Sequence, residues 1–126
     1  MSQENAPAIE APLSPEEQVA RMKRDWDARA AENARYWVAT ERFEWTDEQW
    51  WESGRQTVRE QILTDMGNIC QGADPKKMKV LEIGCGAGRI TRALAETFGL
   101  VYAVDISSEM VAQARFGLRD VPNAFV

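Results

Sequence analysis

The stretch from residue 79 to 105, K-V-L-E-I-G-C-G-A-G-R-I-T-R-A-L-A-E-T-F-G-L-V-Y-A-V-D, constrains this chain more than any other. Val80, Leu81 and Ile83 form a short apolar run, the pattern of a strand buried on both faces of a parallel sheet. Gly84, Gly86 and Gly88 follow at alternate positions, a turn that permits positive φ and close approach of a ligand to the backbone. Ile90, Leu94 and Phe98, four apart, predict a helix over 90–98, and Gly99 stands where a C-cap glycine belongs. Residues 100–104 read as a second buried strand, and Asp105 ends it. The unit is strand, glycine turn, helix, strand, acid. The acid lies 21 positions after the first glycine, where it can accept both hydroxyls of a ribose.

The chain ahead of this unit differs in kind. Residues 1–78 hold 15 acids and 10 bases and all five tryptophans, whereas residues 79–126 hold five acids and five bases. Residues 1–13, rich in Ala, Pro and Glu and without periodicity, read as a disordered tail. Ser14-Pro15-Glu16-Glu17 is a helix start: Ser14 caps, Pro15 fits the first turn, and Glu17 holds the capping-box position. Val19, Met22, Trp26, Ala30, Asn33 and Trp37 then mark one face of an amphipathic helix to about Val38. Thr46 and Gln49 form a second capping box. Trp51, Val58, Ile62, Met66 and Ile69 supply the stripe of the helix that follows, with Gly54 as a kink or break. Gly72 and Asp74-Pro75 close this part with a loop, so residues 14–75 read as a helical N-terminal extension and 76–126 as an α/β unit. Past Asp105, Ser108 is placed as the N-cap of another helix. Met110, Val111 and Ala114 face the sheet from it, and residues 124–126 open a third strand.

At 126 residues there is room for one domain. A net charge of −5 and a pI near 4.8 argue against a nucleic-acid partner or an anionic membrane surface. Cys70 and Cys85 are too few for a disulfide framework and suggest a reducing compartment. With no signal-peptide pattern and no apolar run near the roughly 18 residues of a membrane span, a cytoplasmic protein is expected.

Three nucleotide-site readings compete for the glycine turn. A P-loop requires G-x-x-x-x-G-K-[ST], and no glycine here precedes Lys and a hydroxyl residue. The dinucleotide fingerprint G-x-G-x-x-G puts its third glycine at 89, but that position is Arg89, and the glycine falls one residue early at Gly88. The third reading fits. L-E-I-G-C-G-A-G, followed by Asp105 and by V-D-I-S-S-E-M at 104–110, closely resembles motif I and the second-strand acid of class I S-adenosylmethionine-dependent methyltransferases of the type 11/25-like group. R-D-W-D-A-R-A-A-E-N-A-R-Y-W, at 24–37, looks like the leader helix of some small-molecule methyltransferases.

The resemblance implies a Rossmann-like fold of strand order 3-2-1-4-5-7-6, with S-adenosyl-L-methionine bound outside the strand ends. It implies cofactor-binding roles for Glu82 (the ammonium), Gly84, Cys85, Gly86 and Gly88 (the methionine portion), Asp105 (the ribose), and Ile106 and Met110 (the adenine). It implies methyl transfer to a small-molecule acceptor. It names no catalytic residue, and the chain has no histidine to serve as a base. With about 30 residues per βαβ unit, residues 79–126 hold only strands 1 and 2 and the start of strand 3. The expectation is therefore the N-terminal part of a longer methyltransferase, truncated after the start of strand 3, with strand 1 exposing an apolar edge.

Plainer readings stand beside these. The glycines can serve a tight turn alone, Asp105 can cap a helix or turn, and Glu82 can bond loop amides. Cys85 can be a small filler. The tryptophans can simply pack helices, or Trp26, Tyr36 or Trp37 can line a lid over the site. Two other functions remain open: a nicotinamide-dependent oxidoreductase, and a non-catalytic remnant or helical interaction module. The oligomeric state is not legible.

Overall fold

The computed structural model describes residues 7–126. Residues 7–14 form neither helix nor strand and are exposed; the rest of the expected tail, 1–6, lies outside the described residues. Helix α1 (Pro15–Val38) starts on the expected capping box, with Glu17 N–H donating to Ser14 Oγ at 3.2 Å and Ser14 N–H to Glu17 Oε2 at 2.8 Å. Helix α2 (Asp47–Gln61) starts on the second, Gln49 N–H donating to Thr46 Oγ1 at 3.1 Å. Each box satisfies amides that a helix start leaves unpaired.

Two expectations about these helices are corrected. The first helix is not continuous: Asn33 adopts φ −164°, ψ 87°. Its side-chain carbonyl accepts from Tyr36 N–H at 3.2 Å, recapping the last turn, and its amide donates to Phe43 O at 2.8 Å. A short amide side chain competes with the helix ladder in this way. Gly54, by contrast, makes no break, and α2 runs through it. A Cβ there would lie 2.0 Å from the carbonyl oxygen of Arg89, so the glycine lets two helix backbones touch.

A 3₁₀ turn (Leu63–Asp65), the short helix α3 (Met66–Cys70) and a second 3₁₀ turn (Pro75–Lys77) lead to strand β1 (Lys79–Ile83). Helix α4 (Arg89–Thr97), β2 (Leu100–Val104), α5 (Ser108–Gly117) and β3 (Ala124–Phe125) follow. The sheet is parallel in the order β1-β2-β3, with Lys79 opposite Leu100 and Val101 opposite Ala124. That is the expected α/β, Rossmann-like start, with helices ahead of it. Gly99 differs from its expected role. It is not left-handed; a Cβ would meet Lys76 O at 2.1 Å, so close approach selects the glycine.

The core has two parts. Val58 of α2, Ala93, Leu94 and Phe98 at α4, and Val101 of β2 pack on one face of the sheet. Ala30 and Ala34 of α1, Trp50 of α2, Ala87 and Met110 form the other cluster, with Trp50 fully buried. Met110 therefore faces the leader helices and not the sheet. Burying a side chain of this size contributes about 1.5–3 kcal/mol. The second face of the sheet is bare: Leu81 is 63 % exposed and Ile83 79 %, and Tyr102, Val104 and Phe125 are exposed beside them. Burial on both faces was expected of these strands. Among the described residues, helices cover only one face, so half of the apolar run meets solvent.

Candidate functional site

Residues 84–88 join β1 to α4 in a loop stitched to the end of β2. Gly84 and Cys85 N–H both donate to Val104 O, at 2.8 and 3.0 Å, and Gly86 N–H donates to Asp105 Oδ2 at 2.8 Å. Gly84, Gly86 and Gly88 have φ of 78°, 54° and 89°, a region L side chains rarely adopt. Their surroundings differ. A Cβ at Gly84 would meet open space, one at Gly86 would press Val38 at 3.0 Å, and one at Gly88 would press Leu118 at 3.0 Å. Gly84 thus leaves room for a ligand, while Gly86 and Gly88 also permit tight packing. Gly88 caps α4, and no side chain caps that helix, so its first-turn amides face no competing acceptor.

Asp105 follows β2 and faces the loop. Its Oδ1 accepts from Ser107 N–H at 2.9 Å, its Oδ2 from Gly86. Each carboxylate oxygen has two acceptor sites, so one remains on each after these bonds. The turn role and the ligand role are compatible. Ser107, not Ser108, caps α5: its Oγ accepts from Met110 N–H at 3.1 Å. The expected cap at Ser108 is thus one residue late, because the turn held by Asp105 sets Ser107 at the helix start.

A cavity of about 580 Å³ opens beside this loop. Ile83, Gly84, Gly86, Val104, Asp105, Ile106 and Met110 form its floor and one side. Met22, Trp26, Trp37 and Val38 of α1 form the other. The volume suits a small ligand or cofactor, and Asp105 is the one ionisable group among mainly apolar walls. Among the residues expected to bind cofactor, the structure brings Gly84, Gly86, Asp105, Ile106 and Met110 to the cavity. Glu82, Cys85 and Gly88 are outside its lining. The wall from α1 was legible only as a possible lid. Trp26 and Trp37 do line the cavity, whereas Tyr36 packs on Trp37 and Phe43, with ring centroids 5.2 and 5.3 Å away.

Glu82 accepts a hydrogen bond from Thr91 Oγ1, not from loop amides. Burial pushes its carboxyl above the ordinary range, opposed by the Thr91 bond and the Arg89 charge; the Asp105 charge adds to the rise. Burial pushes the Cys85 thiol up to about 12, with Glu82 and Asp105 adding to the effect. Cys85 is therefore an inert filler. Arg89, where a dinucleotide loop would carry its third glycine, turns to α2 and donates to Ser53 O at 3.2 Å and Thr57 Oγ1 at 3.1 Å. A larger cleft of about 650 Å³ lies between α2 and α5 around Trp51, Arg92 and Phe116. Arg92 there is already paired with Asp120 at 2.7 Å and stacked on Trp51 at 4.3 Å. The smaller cavity, bordered by Gly84, Gly86 and Asp105, is the one that gathers residues expected to bind cofactor.

Fold and site together define an open parallel α/β sheet with a glycine loop and a second-strand acid at its C-terminal edge. Residues 80–124 match the family model described as "Methyltransferase domain". A 51-residue stretch is 35% identical to dTDP-3-amino-3,6-dideoxy-alpha-D-glucopyranose N,N-dimethyltransferase of Streptomyces fradiae, covering 40% of this chain and 20% of that protein. The fold is similar to that of Haemonchus contortus phosphoethanolamine N-methyltransferase 1, solved with phosphoethanolamine and S-adenosylhomocysteine. The TM-score is 0.62 at 18% identity, over 90% of this chain and 22% of that one. A complex of DhpI with SAM and HEP is also similar, at TM-score 0.53 and 24% identity, over 90% of this chain and 43% of that one. The chain thus spans about a fifth of the length of the curated relative it matches. The resemblance drawn from L-E-I-G-C-G-A-G and Asp105 falls within the stretch matched by that family model, and the fold is the one it implies.

Proposed function

We propose that this chain carries the cofactor-binding opening of an S-adenosyl-L-methionine-dependent methyltransferase whose acceptor is a small molecule. The observation that carries the reading is the cavity itself, where Gly84 leaves open space and Asp105 keeps spare acceptor sites on the same rim. The bound cofactor would supply a methyl group on a sulfonium, already a good leaving group. The chain's task is to hold and orient. Gly84 and Gly86 admit the methionine portion, and Asp105 accepts the ribose hydroxyls. Ile106 and Met110 give the adenine apolar walls, Met110 through a thioether that packs flexibly on rings. Trp26 and Trp37, whose rings are stacked by the Arg29 guanidinium at 4.8 and 5.3 Å, exclude water from the opposite side. Rate then comes mainly from alignment of acceptor, methyl and sulfur.

Glu82, Cys85 and Gly88 act from behind the lining. Glu82 contributes charge through the loop or a bridging water, Cys85 fills the core, and Gly88 lets α5 approach. The small-molecule acceptor is supported by the relatives, whose names specify an amino sugar and phosphoethanolamine. Two free cysteines fit a cytoplasmic setting, and no described helix is long and apolar enough to cross a membrane. Calorimetric titration with S-adenosylmethionine, S-adenosylhomocysteine and NAD tests the reading. Binding of the first two with no response to NAD is expected. Preference for NAD would make it a nicotinamide site, and silence toward all three would favour a non-catalytic module.

A further inference from the structure

The leader helix meets the segment after Asp105 at a polar cluster, one turn and more from a second tie in which Gln113 Nε2 donates to Ala30 O at 2.9 Å. Asp27 Oδ1 accepts from Ser107 Oγ at 2.6 Å and from Glu109 N–H at 3.3 Å, the first turn of α5. Its Oδ2 accepts from Lys23 Nζ at 2.7 Å, and Lys23 Nζ also donates to Ser108 Oγ at 2.9 Å. Ser107 is fully buried, and it gives its hydroxyl proton to Asp27 while its backbone N–H goes to Asp105. An unbroken line of hydrogen bonds therefore runs Lys23, Asp27, Ser107, Asp105, Gly86, from a helix some eighty residues upstream into the glycine loop.

Apolar contact among Trp26, Ala30 and Met110 already holds α1 against the domain, so packing alone does not call for this cluster. Its chemistry is specific: a carboxylate set at the N-terminus of α5, where the helix dipole favours it. Lys23 and Ser107 hold that carboxyl down to about 2, so it stays ionised throughout the working range. The same stretch of α1, ahead of the break at Asn33, carries Met22 and Trp26 into the cavity wall.

We propose that Asp27 is a positioning residue, a clasp that sets Asp105 through Ser107 and couples closure of the α1 arm, hinged at Asn33, to occupancy of the cavity. The identity of the occupant rests on the proposed function; the clasp does not. Coupling is reciprocal, so a ligand that gains from the closed arm must also tighten it.

The test uses hydrogen exchange and calorimetry on the whole 126-residue chain. Without ligand, Asp27→Ala is expected to speed exchange at Glu109 and across 15–32, while Asp25→Ala, an exposed acid on the same helix, does not. S-adenosylhomocysteine should bind Asp27→Ala about tenfold more weakly, within the usual span of coupling between sites. Added to the wild type, it should slow exchange across 15–32. Equal binding by Asp27→Ala and wild type would overturn the proposal. So would arm exchange left unchanged in the wild type by ligand that calorimetry shows to be bound, a readout that stands even where the variant does not fold. If the wild type ignores the ligand yet Asp27→Ala still loosens Glu109, the cofactor reading falls and the clasp stands.

Discussion

Replacing Gly54 by alanine examines how the leader helices set the glycine loop. Alanine is the better helix former by roughly 0.5–1 kcal/mol, so an isolated α2 would gain. In the folded chain the new Cβ would sit 2.0 Å from Arg89 O and 2.8 Å from its carbonyl carbon. To reach even 3.0 Å, the shortest separation real Cβ atoms show, α2 and α4 must part by about 1 Å along this line. A gap of that size forfeits about a quarter to a half of each dispersion contact it opens. It also stretches the bonds from Arg89 to Ser53 and Thr57, now 3.2 and 3.1 Å. The expected net loss is about 3 kcal/mol, at the upper end of ordinary overpacking. For a chain of this size that lowers Tm by roughly 12 °C. Gly67 is the internal control: a Cβ there meets nothing within 4 Å, so Gly67→Ala should hold or raise Tm. Thermal denaturation of both variants, followed by circular dichroism, is the assay. A Gly54→Ala chain that melts at or above the wild-type temperature would refute the close-contact argument.

Other outcomes follow from the same geometry. Asp27, held near 2 against an ordinary 3.8, adds stability that is present above pH 3.8 and lost as pH falls through about 2, so acid titration should free the 15–32 amides in that window. Glu82 has the opposite sign. Its raised pKa means ionisation disfavours the folded chain, so Glu82→Gln should gain Tm over wild type as pH rises above 4.5; a pH-independent difference would contradict the assignment. A thiol-reactive probe at pH 8 should label half-buried Cys70 and spare buried Cys85 until the chain unfolds. Leu81, Tyr102 and Phe125 present an apolar sheet face to solvent, so sedimentation should show self-association that Leu81→Lys with Tyr102→Lys reduces.

The sequence exposed those parts of the fold whose chemistry is local. Ser14 with Glu17 and Thr46 with Gln49 announced two helix starts because a capping box needs only four residues. The strand, glycine loop and Asp105 were legible for the same reason, and the loop placed its glycines where positive φ demands them. What the sequence hid depends on distant partners. Gly54 and Gly99 look like breakers until Arg89 and Lys76 are brought against them. Asn33 reads as part of an apolar stripe until Phe43 accepts from its amide. Glu82 reads as a site acid, whereas tertiary packing turns it toward Thr91. The tie from Asp27 to Ser107 joins residues 80 apart and leaves no mark in either neighbourhood.

The central claim is that the glycine loop and Asp105 form one rim of a nucleoside cavity closed by α1. Amide and indole chemical shifts, followed by NMR as S-adenosylhomocysteine is titrated in, test it most directly. The account predicts saturable shifts at Gly84, Gly86, Asp105, Ile106 and Met110, with the indoles of Trp26 and Trp37 moving at the same ligand concentration. Shifts confined to the cleft around Trp51, Arg92 and Phe116, or none at saturating ligand, would contradict it.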